Sequence, residues 1–225
     1  MSESNNTLRP FAVKDCALVA IATGKKAQNL TELRDNLETI APGSIYYHFW
    51  GRLLRPRFDV PQYLNDFATW SHYSLHDDTL AERLAIVDPT EFEGLESLRH
   101  ELVEIVEQRL DEVEWPPWAK SDRQFHFIRS QIVVFDTQLV VEDPEDLVQL
   151  VPRMSLGSIY YHFIDARRRT EESKDDFHAW LTAFDDTYSE LCRRLESLDP
   201  YFVTLTDLRQ HLAQILSGYF ERQLV

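Results

Sequence analysis

At 225 residues the chain can hold one large domain or two small ones, and 13 Phe, 9 Tyr and 5 Trp within a 44% hydrophobic composition supply the apolar mass for a packed core. Asp and Glu number 38 against 23 Lys and Arg, a formal charge of −15 that opposes binding to a phosphate backbone and excludes nucleic acid from the expected partners. No run of about 18 apolar residues occurs, and residues 1–9 lack the basic and apolar regions of a signal peptide, so the expectation is a cytoplasmic protein without membrane contact.

An internal repeat organises everything that follows. Gly43-Ser44-Ile45-Tyr46-Tyr47-His48-Phe49 recurs letter for letter as Gly157-Ser158-Ile159-Tyr160-Tyr161-His162-Phe163, an offset of 114 residues. The same offset pairs Phe11 with Phe125, Val19 with Val133, Thr23 with Thr137 and Leu33 with Leu147. Downstream the offset shortens to 110 at Phe67/Phe177 and Trp70/Trp180, then to 108 at Asp77/Asp185, and returns to 110 in the last segment of each copy. Small deletions of this kind belong in loops. The expected organisation is a disordered tail over residues 1–10, a helical module over 11–110, a linker over 111–122 and a second helical module over 123–225.

In chain order, residues 16–23 and their counterparts 130–137 form short apolar runs, such as Ile132-Val133-Val134-Phe135, that suit either a buried helix or a short strand pair; helix is the preferred reading. Leu33, Leu37 and Ile40 have helical spacing, with Asn29 as cap in the first copy and Asp143-Pro144 in the second. The Tyr-Tyr-His-Phe helix follows, with Ser44 or Ser158 expected at its start. Thr79-x-x-Glu82 and Thr187-x-x-Glu190 have the form of capping boxes, and Asp88-Pro89 and Asp199-Pro200 end the short helices they open. Leu95, Leu98, Leu102, Ile105, Val106 and Leu110 lie on one helical stripe, matched by Leu205, Leu208, Leu212, Ile215, Leu216 and Phe220. Between the copies, Trp115-Pro116-Pro117-Trp118 interrupts any helix and marks the boundary. The fold class predicted from these elements is all-α, two tandem pseudo-symmetric modules packed through their apolar stripes.

The Ser-Ile-Tyr-Tyr-His core at 44–48, Asn65-Asp66-Phe67-Ala68 with Trp70, and Leu80-Ala81-Glu82-Arg83-Leu84-Ala85-Ile86-Val87-Asp88-Pro89 together resemble the bacterial family known as domain of unknown function 5752. The likeness covers nearly all of the first copy and more loosely the second, where Leu191-Cys192-Arg193-Arg194 departs from the pattern. It implies a bacterial source and carries no activity or catalytic residue with it.

The candidate binding residues are Tyr46, Tyr47 and His48 with Arg52 and Arg55, and Tyr160, Tyr161 and His162 with Arg167 and Arg169; Arg57 and Arg168 belong to the same two basic clusters. A histidine among aromatic residues is most often a hydrogen-bonded packing residue, and arginines ending a helix complement its dipole and pair with nearby acids. The functional alternative makes these side chains a surface or groove shared by the two copies, with guanidinium forks able to hold a small anion. A metal site from His48, His72, His76 and Asp77 is disfavoured, because the positions matching His72 and His76 are Thr182 and Phe184. Cys16 and Cys192 lack metal-ligand spacing and read as reduced and structural. No phosphate loop, nucleophile elbow or zinc-protease motif is present. The expected function is a non-catalytic protein-interaction or regulatory module without cofactor. The competing class is a sensor of phosphorylated metabolites, or an enzyme with His48 or His162 as base.

Overall fold

The computed structural model describes residues 10–55, 61–113, 120–170 and 173–224. The tail over residues 1–9, Arg57 and the Trp115-Pro116-Pro117-Trp118 stretch lie outside the described residues.

Two long strands overturn the all-α expectation. β1 spans Phe11–Ala27 and β2 spans Phe125–Val141, 17 residues each, and they form a two-stranded sheet. The Thr23 hydroxyl donates to the Phe127 carbonyl and the Thr137 hydroxyl to the Val13 carbonyl, so the strands run antiparallel. The physical reason is period: Phe11 and Val13 are buried around an exposed Ala12, and Phe125 and Phe127 around an exposed His126, an alternation of two that no helix produces. The Val, Ile, Thr and Phe content of residues 130–137 favours the pleated backbone as well. Each strand has a residue in the left-handed region at a matched position, Gly24 at φ 81° and Gln138 at φ 61°. There the threonine hydroxyl one residue earlier accepts the amide of Lys25 or Leu139.

The helices divide into two compact units that do not follow chain order. One unit comprises Leu18–Ile132; the other joins the described residues up to Ala17 to those from Val133 onward. Each strand therefore gives its two halves to different units. The opening of β1 serves the second repeat's helices, and the opening of β2 serves the first repeat's.

In the Leu18–Ile132 unit, α1 (Leu30–Thr39) starts at Asn29, whose side chain accepts the Glu32 amide. α2 (Pro42–Trp50) carries the Tyr-Tyr-His-Phe motif, α3 (Asp66–Tyr73) is capped by Asn65, and α4 (Asp78–Ala85) is capped by Asp77 rather than Thr79. α5 (Leu95–Glu112) lays Leu98, Leu102, Ile105 and Val106 against α1, α2 and α4. Ser44 lies within α2 and donates its hydroxyl to the Ile128 carbonyl instead of capping.

The other unit repeats this plan with more broken helices. Asp143 accepts the Glu145 amide to open a short 3-10 turn, followed by α6 (Leu147–Leu150). α7 (Leu156–Ile159) is capped by Ser155, not Ser158, and widens into a π-helical turn over Tyr160–Asp165 before α8 (Ala166–Arg169). α9 (Asp176–Leu181) runs into a kinked 3-10 segment, Thr182–Tyr188, so Thr187 opens no helix; α10 (Ser189–Glu196) and α11 (Leu205–Phe220) follow. α11 packs on α6, α7 and α10 through Leu205, Leu208, Leu212 and Leu216.

Two arginines missing from the sequence-derived candidates fasten the long helices at matched places. Buried Arg99 on α5 donates to the Leu37 carbonyl and, at 2.7 Å, to the Ile40 carbonyl at the end of α1. Arg209 on α11 donates to the Met154 carbonyl at 2.8 Å. The offset of 110 between them was legible; their acceptors were not.

Candidate functional site

The duplicated motif builds the same node in each unit. His48, 2% exposed, lies on α2 with Nδ1 2.9 Å from the Asp66 carboxylate at the start of α3, and its Nε2 accepts the Ile128 backbone N–H of β2 at 3.1 Å. His162, also 2% exposed, contacts Asp176 at 2.7 Å and accepts the Lys14 N–H of β1 at 2.8 Å. A backbone amide only donates, so Nε2 bears the lone pair in both rings and Nδ1 carries the proton it donates to the carboxylate. Phe67, Phe125 and Phe127 surround the first ring, Phe11 and Phe177 the second.

Both imidazole nitrogens are thus engaged in each node. A general base needs an open lone pair within reach of the proton it removes, and here each Nε2 lone pair holds a strand amide. The motif fastens a strand to two helices, through a charge-assisted bond of about 1.5–3 kcal/mol and a neutral one of about 0.5–1.5 kcal/mol. Gly157 serves the same attachment: a β-carbon there would collide with Asp15 and the Cys16 backbone, whose thiol donates to the Gly157 carbonyl at 3.3 Å. Burial pushes the Cys16 thiol up to about 12, reinforced by the Asp15 carboxylate, so it stays protonated and inert.

The other candidate residues are mostly buried or paired. Tyr46, Tyr47 and Tyr160 are buried and Tyr161 is half-buried. Arg55 stacks over the Tyr47 ring at 4.9 Å, Arg167 over Phe163 at 4.8 Å and Arg169 over Tyr161 at 4.0 Å. Arg52 donates to the Tyr63 carbonyl and lies 3.9 Å from Asp66, while Arg169 reaches Asp176 at 3.0 Å and, with Arg168, the buried Asp165. The arginine beside each histidine's aspartate is recruited from a different place in the two copies. Burial lowers the Arg167 guanidinium below its usual value, with Asp175, Asp199 and Glu196 opposing the shift. The guanidinium groups thus face acids and rings of their own unit.

The structure does not gather the histidines weighed for a metal. His72 contacts Asp78 and His76 contacts Asp122, each at 2.6 Å, while Asp77 caps Leu80 and holds Arg109 at 2.8 Å.

Two features escaped the sequence reading. One is an apolar band on β2: Val133, Val134, Phe135, Leu139 and Val140 are 38%, 44%, 50%, 53% and 56% exposed. The other is a groove of about 340 Å³ floored by His178 and Cys192 and rimmed by Asp185, Asp186, Arg193 and Glu196. Asp185 sits at φ 53°, ψ −142°, a conformation costing on the order of 1–3 kcal/mol for a residue with a side chain. The available signal for the groove was the shift in repeat offset from 110 to 108 and the Leu191-Cys192-Arg193-Arg194 departure.

Comparison with known proteins agrees with this architecture. Among solved structures, OrfY from Thermoproteus tenax is similar, with a TM-score of 0.80 and 25% sequence identity over 93% of this chain and 95% of that one. No curated protein matches. Residues 8–217 match the family described as "Family of unknown function (DUF5752)", and the chain belongs to that family.

Proposed function

We propose that the protein is a non-catalytic interaction or regulatory module that docks a partner on the apolar band of β2. The exposure of Val133, Val134, Phe135, Leu139 and Val140 carries this reading. Val133 and Phe135 fall on one face of the strand and Val134 on the other, so this stretch of β2 shows apolar side chains to solvent on both faces, an exposure of the kind that marks a contact site. The matched residues of β1 are Val19, Ala20, Ile21, Lys25 and Lys26, so the second copy has apolar side chains where the first ends in two lysines. Lysines on an edge strand discourage pairing and apolar residues invite it. A two-stranded ribbon also offers unpaired backbone to an added strand. Glu142, Asp143, Glu145 and Asp146 follow the band, so the partner segment it suits is extended and apolar with cationic residues at one end.

The competing reading, His48 or His162 as base beside an arginine anion clamp, requires each Nε2 to release its strand amide and the arginines to leave their carboxylates. The interaction reading is tested by affinity capture from native extract with wild type and with Phe135→Ser/Leu139→Ser, both checked by circular dichroism. A defined partner held by wild type and lost by the variant is expected. The same partners on both proteins would sink the proposal.

A further inference from the structure

The outer edge of β2 can be followed residue by residue. Ile128 turns both its backbone groups away from β1: its N–H donates to His48 Nε2 at 3.1 Å, and its C=O accepts the Ser44 hydroxyl at 2.7 Å. Residues of an antiparallel pair alternate between facing the partner strand and facing away from it. The Thr23–Phe127 and Thr137–Val13 contacts keep one register along the ribbon, so no inserted residue breaks the alternation between them. Ser130, Ile132, Val134 and Asp136 therefore direct N–H and C=O to the same outer edge as Ile128. Among the described residues no side chain or loop backbone bonds to the main chain of that stretch, and the sheet has no third strand.

The duplication shows that this opening belongs to β2. On β1 the matching places are Lys14, whose N–H goes to His162, and Cys16, whose main chain lies so near Gly157 that a β-carbon there would collide with it. Gly43 matches Gly157, yet a β-carbon on Gly43 would meet nothing within 4 Å, so the edge at Ser130 stays uncovered. Side chains along the open stretch are apolar on both faces, Val133 and Phe135 on one, Ile132 and Val134 on the other. A strand added at the edge covers both faces at once, whereas a partner resting on one face leaves the other in water. The flanking charges select that strand. Exposed Arg123 and Arg129 precede the opening, and exposed Glu142, Asp143 and Glu145 follow it. A segment positive where β2 is negative, and negative where β2 is positive, is β2 itself turned antiparallel. Two β1 edges joined in the same way would oppose Lys14 to Lys25 and Lys26, like charge against like.

We propose that the partner of the β2 band is a second copy of this chain, joined edge to edge by twofold antiparallel pairing of the two β2 strands. The outward residues Ser130, Ile132, Val134 and Asp136 are centred on Val133. Pairing about that centre sets Ser130 against Asp136 and Ile132 against Val134 of the other copy. On the opposite face Val133 meets its own counterpart and Phe135 lies beside Gln131. Every outward backbone group of the open stretch then has a partner, and Asp136, held by Lys14 at 2.9 Å, faces a hydroxyl and not a second carboxylate. The product is a closed dimer with a four-stranded sheet running through both chains. This inference rests on the reading of β2 as a contact surface and names its occupant.

The test is analytical sedimentation of the full chain from about 1 to about 100 µM in about 0.15 M salt, with amide exchange of residues 130–136 followed over the same range. A concentration-dependent rise to twice the chain mass is expected, and exchange at 130–136 should slow as it occurs. Val134→Pro removes an outward N–H without taking a bond from β1, so its circular dichroism should match wild type while dimerisation weakens about tenfold or more. If the proline variant fails to fold, Val134→Lys, a charge on the same edge, decides. Ala20→Lys, at the matching place on β1, should leave the dimer intact. Monomer mass at every concentration, a dimer that persists in the folded Val134 variant, or one lost equally in Ala20→Lys would overturn the pairing. Affinity capture separates this failure from that of the contact-surface reading. With self-pairing, the protein retained from native extract is the endogenous chain. A monomeric wild type that holds a different protein through Phe135 and Leu139 overturns the self-pairing alone, and one that holds nothing overturns both.

Discussion

Each histidine of the duplicated motif is worth more to the fold than its immediate neighbours suggest, because its two nitrogens join three chain segments. Removing the ring in His162→Ala leaves the Lys14 amide without its acceptor and opens a space beside Phe11 and Phe177. The Asp176 carboxylate keeps Arg169. An unsatisfied buried amide and the lost packing together predict a loss of about 2–4 kcal/mol. His162→Gln, whose side-chain carbonyl can accept the strand amide, should lose less. Urea denaturation followed by tryptophan fluorescence measures both, and a loss under about 0.5 kcal/mol for the alanine variant, the range of an ordinary surface change, would refute the anchoring role. The exact repeat of seven letters singled out these histidines in the sequence. It could not disclose their partners, because the acceptor and the donated amide lie 80 and 148 residues apart along the chain.

Among the helices, amphipathic spacing was the legible signal and end chemistry the misleading one. Leu98, Leu102, Leu208 and Leu212 occupy the buried stripe that their spacing implied, since a core-facing helix repeats its apolar face wherever it packs. Asn29 caps α1 as its side chain suggested, yet at Thr79 the neighbouring Asp77 wins because a carboxylate that also binds Arg109 is the better acceptor. A short strand pair at residues 16–23 and 130–137 was the less favoured alternative to helix, and the full 17-residue strands were not legible, because burial alternates at their ends while the middle faces solvent, so only a short apolar run stood out. The surfaces of the same helices carry a pH dependence. Hydrogen bonds from Arg99, Arg83, Arg194 and Lys174 hold Glu96, Glu112, Glu190 and Glu196 below the usual carboxylate value of 4.5. A carboxylate depressed in the folded state stabilises fully above its unfolded value, and that contribution is lost as pH falls through the folded one. Asp175, raised by burial, has the opposite sign: its folded form is favoured in acid and loses stability as pH rises past 3.8. Asp136 on β2 is likewise lowered, by the Gln138 amide and by Lys14, and five depressed carboxylates against one raised predict a urea midpoint that falls on acidification below about pH 4.5; the fall should shrink in high salt because these pairs are largely solvent-exposed. A midpoint that rises on acidification would show that the buried Asp175 dominates.

Sequence self-similarity shows that two stretches adopt the same backbone path, but it is silent about which copy a strand serves. Residues 11–17 belong to the compact unit formed by the second repeat, where Phe11 stacks on Phe177 and lies against Trp180, and Lys14 feeds His162. Residues 125–132 stand in the same relation to the first repeat, through Phe125, Phe127 and Ile128. A fragment of residues 123–225 keeps all its helices yet lacks the strand that closes its core, leaving His162, Phe177 and Trp180 without their partners. Such a fragment should retain helical far-UV dichroism with weak near-UV signal, the signature of a collapsed chain without fixed packing. Adding residues 1–112 as a separate chain supplies both missing strand halves at once, so near-UV dichroism and cooperative melting should return on mixing, with a midpoint that rises with concentration. Native, cooperative melting of residues 123–225 alone would mean that each repeat completes its own core and that the strand exchange contributes little to stability.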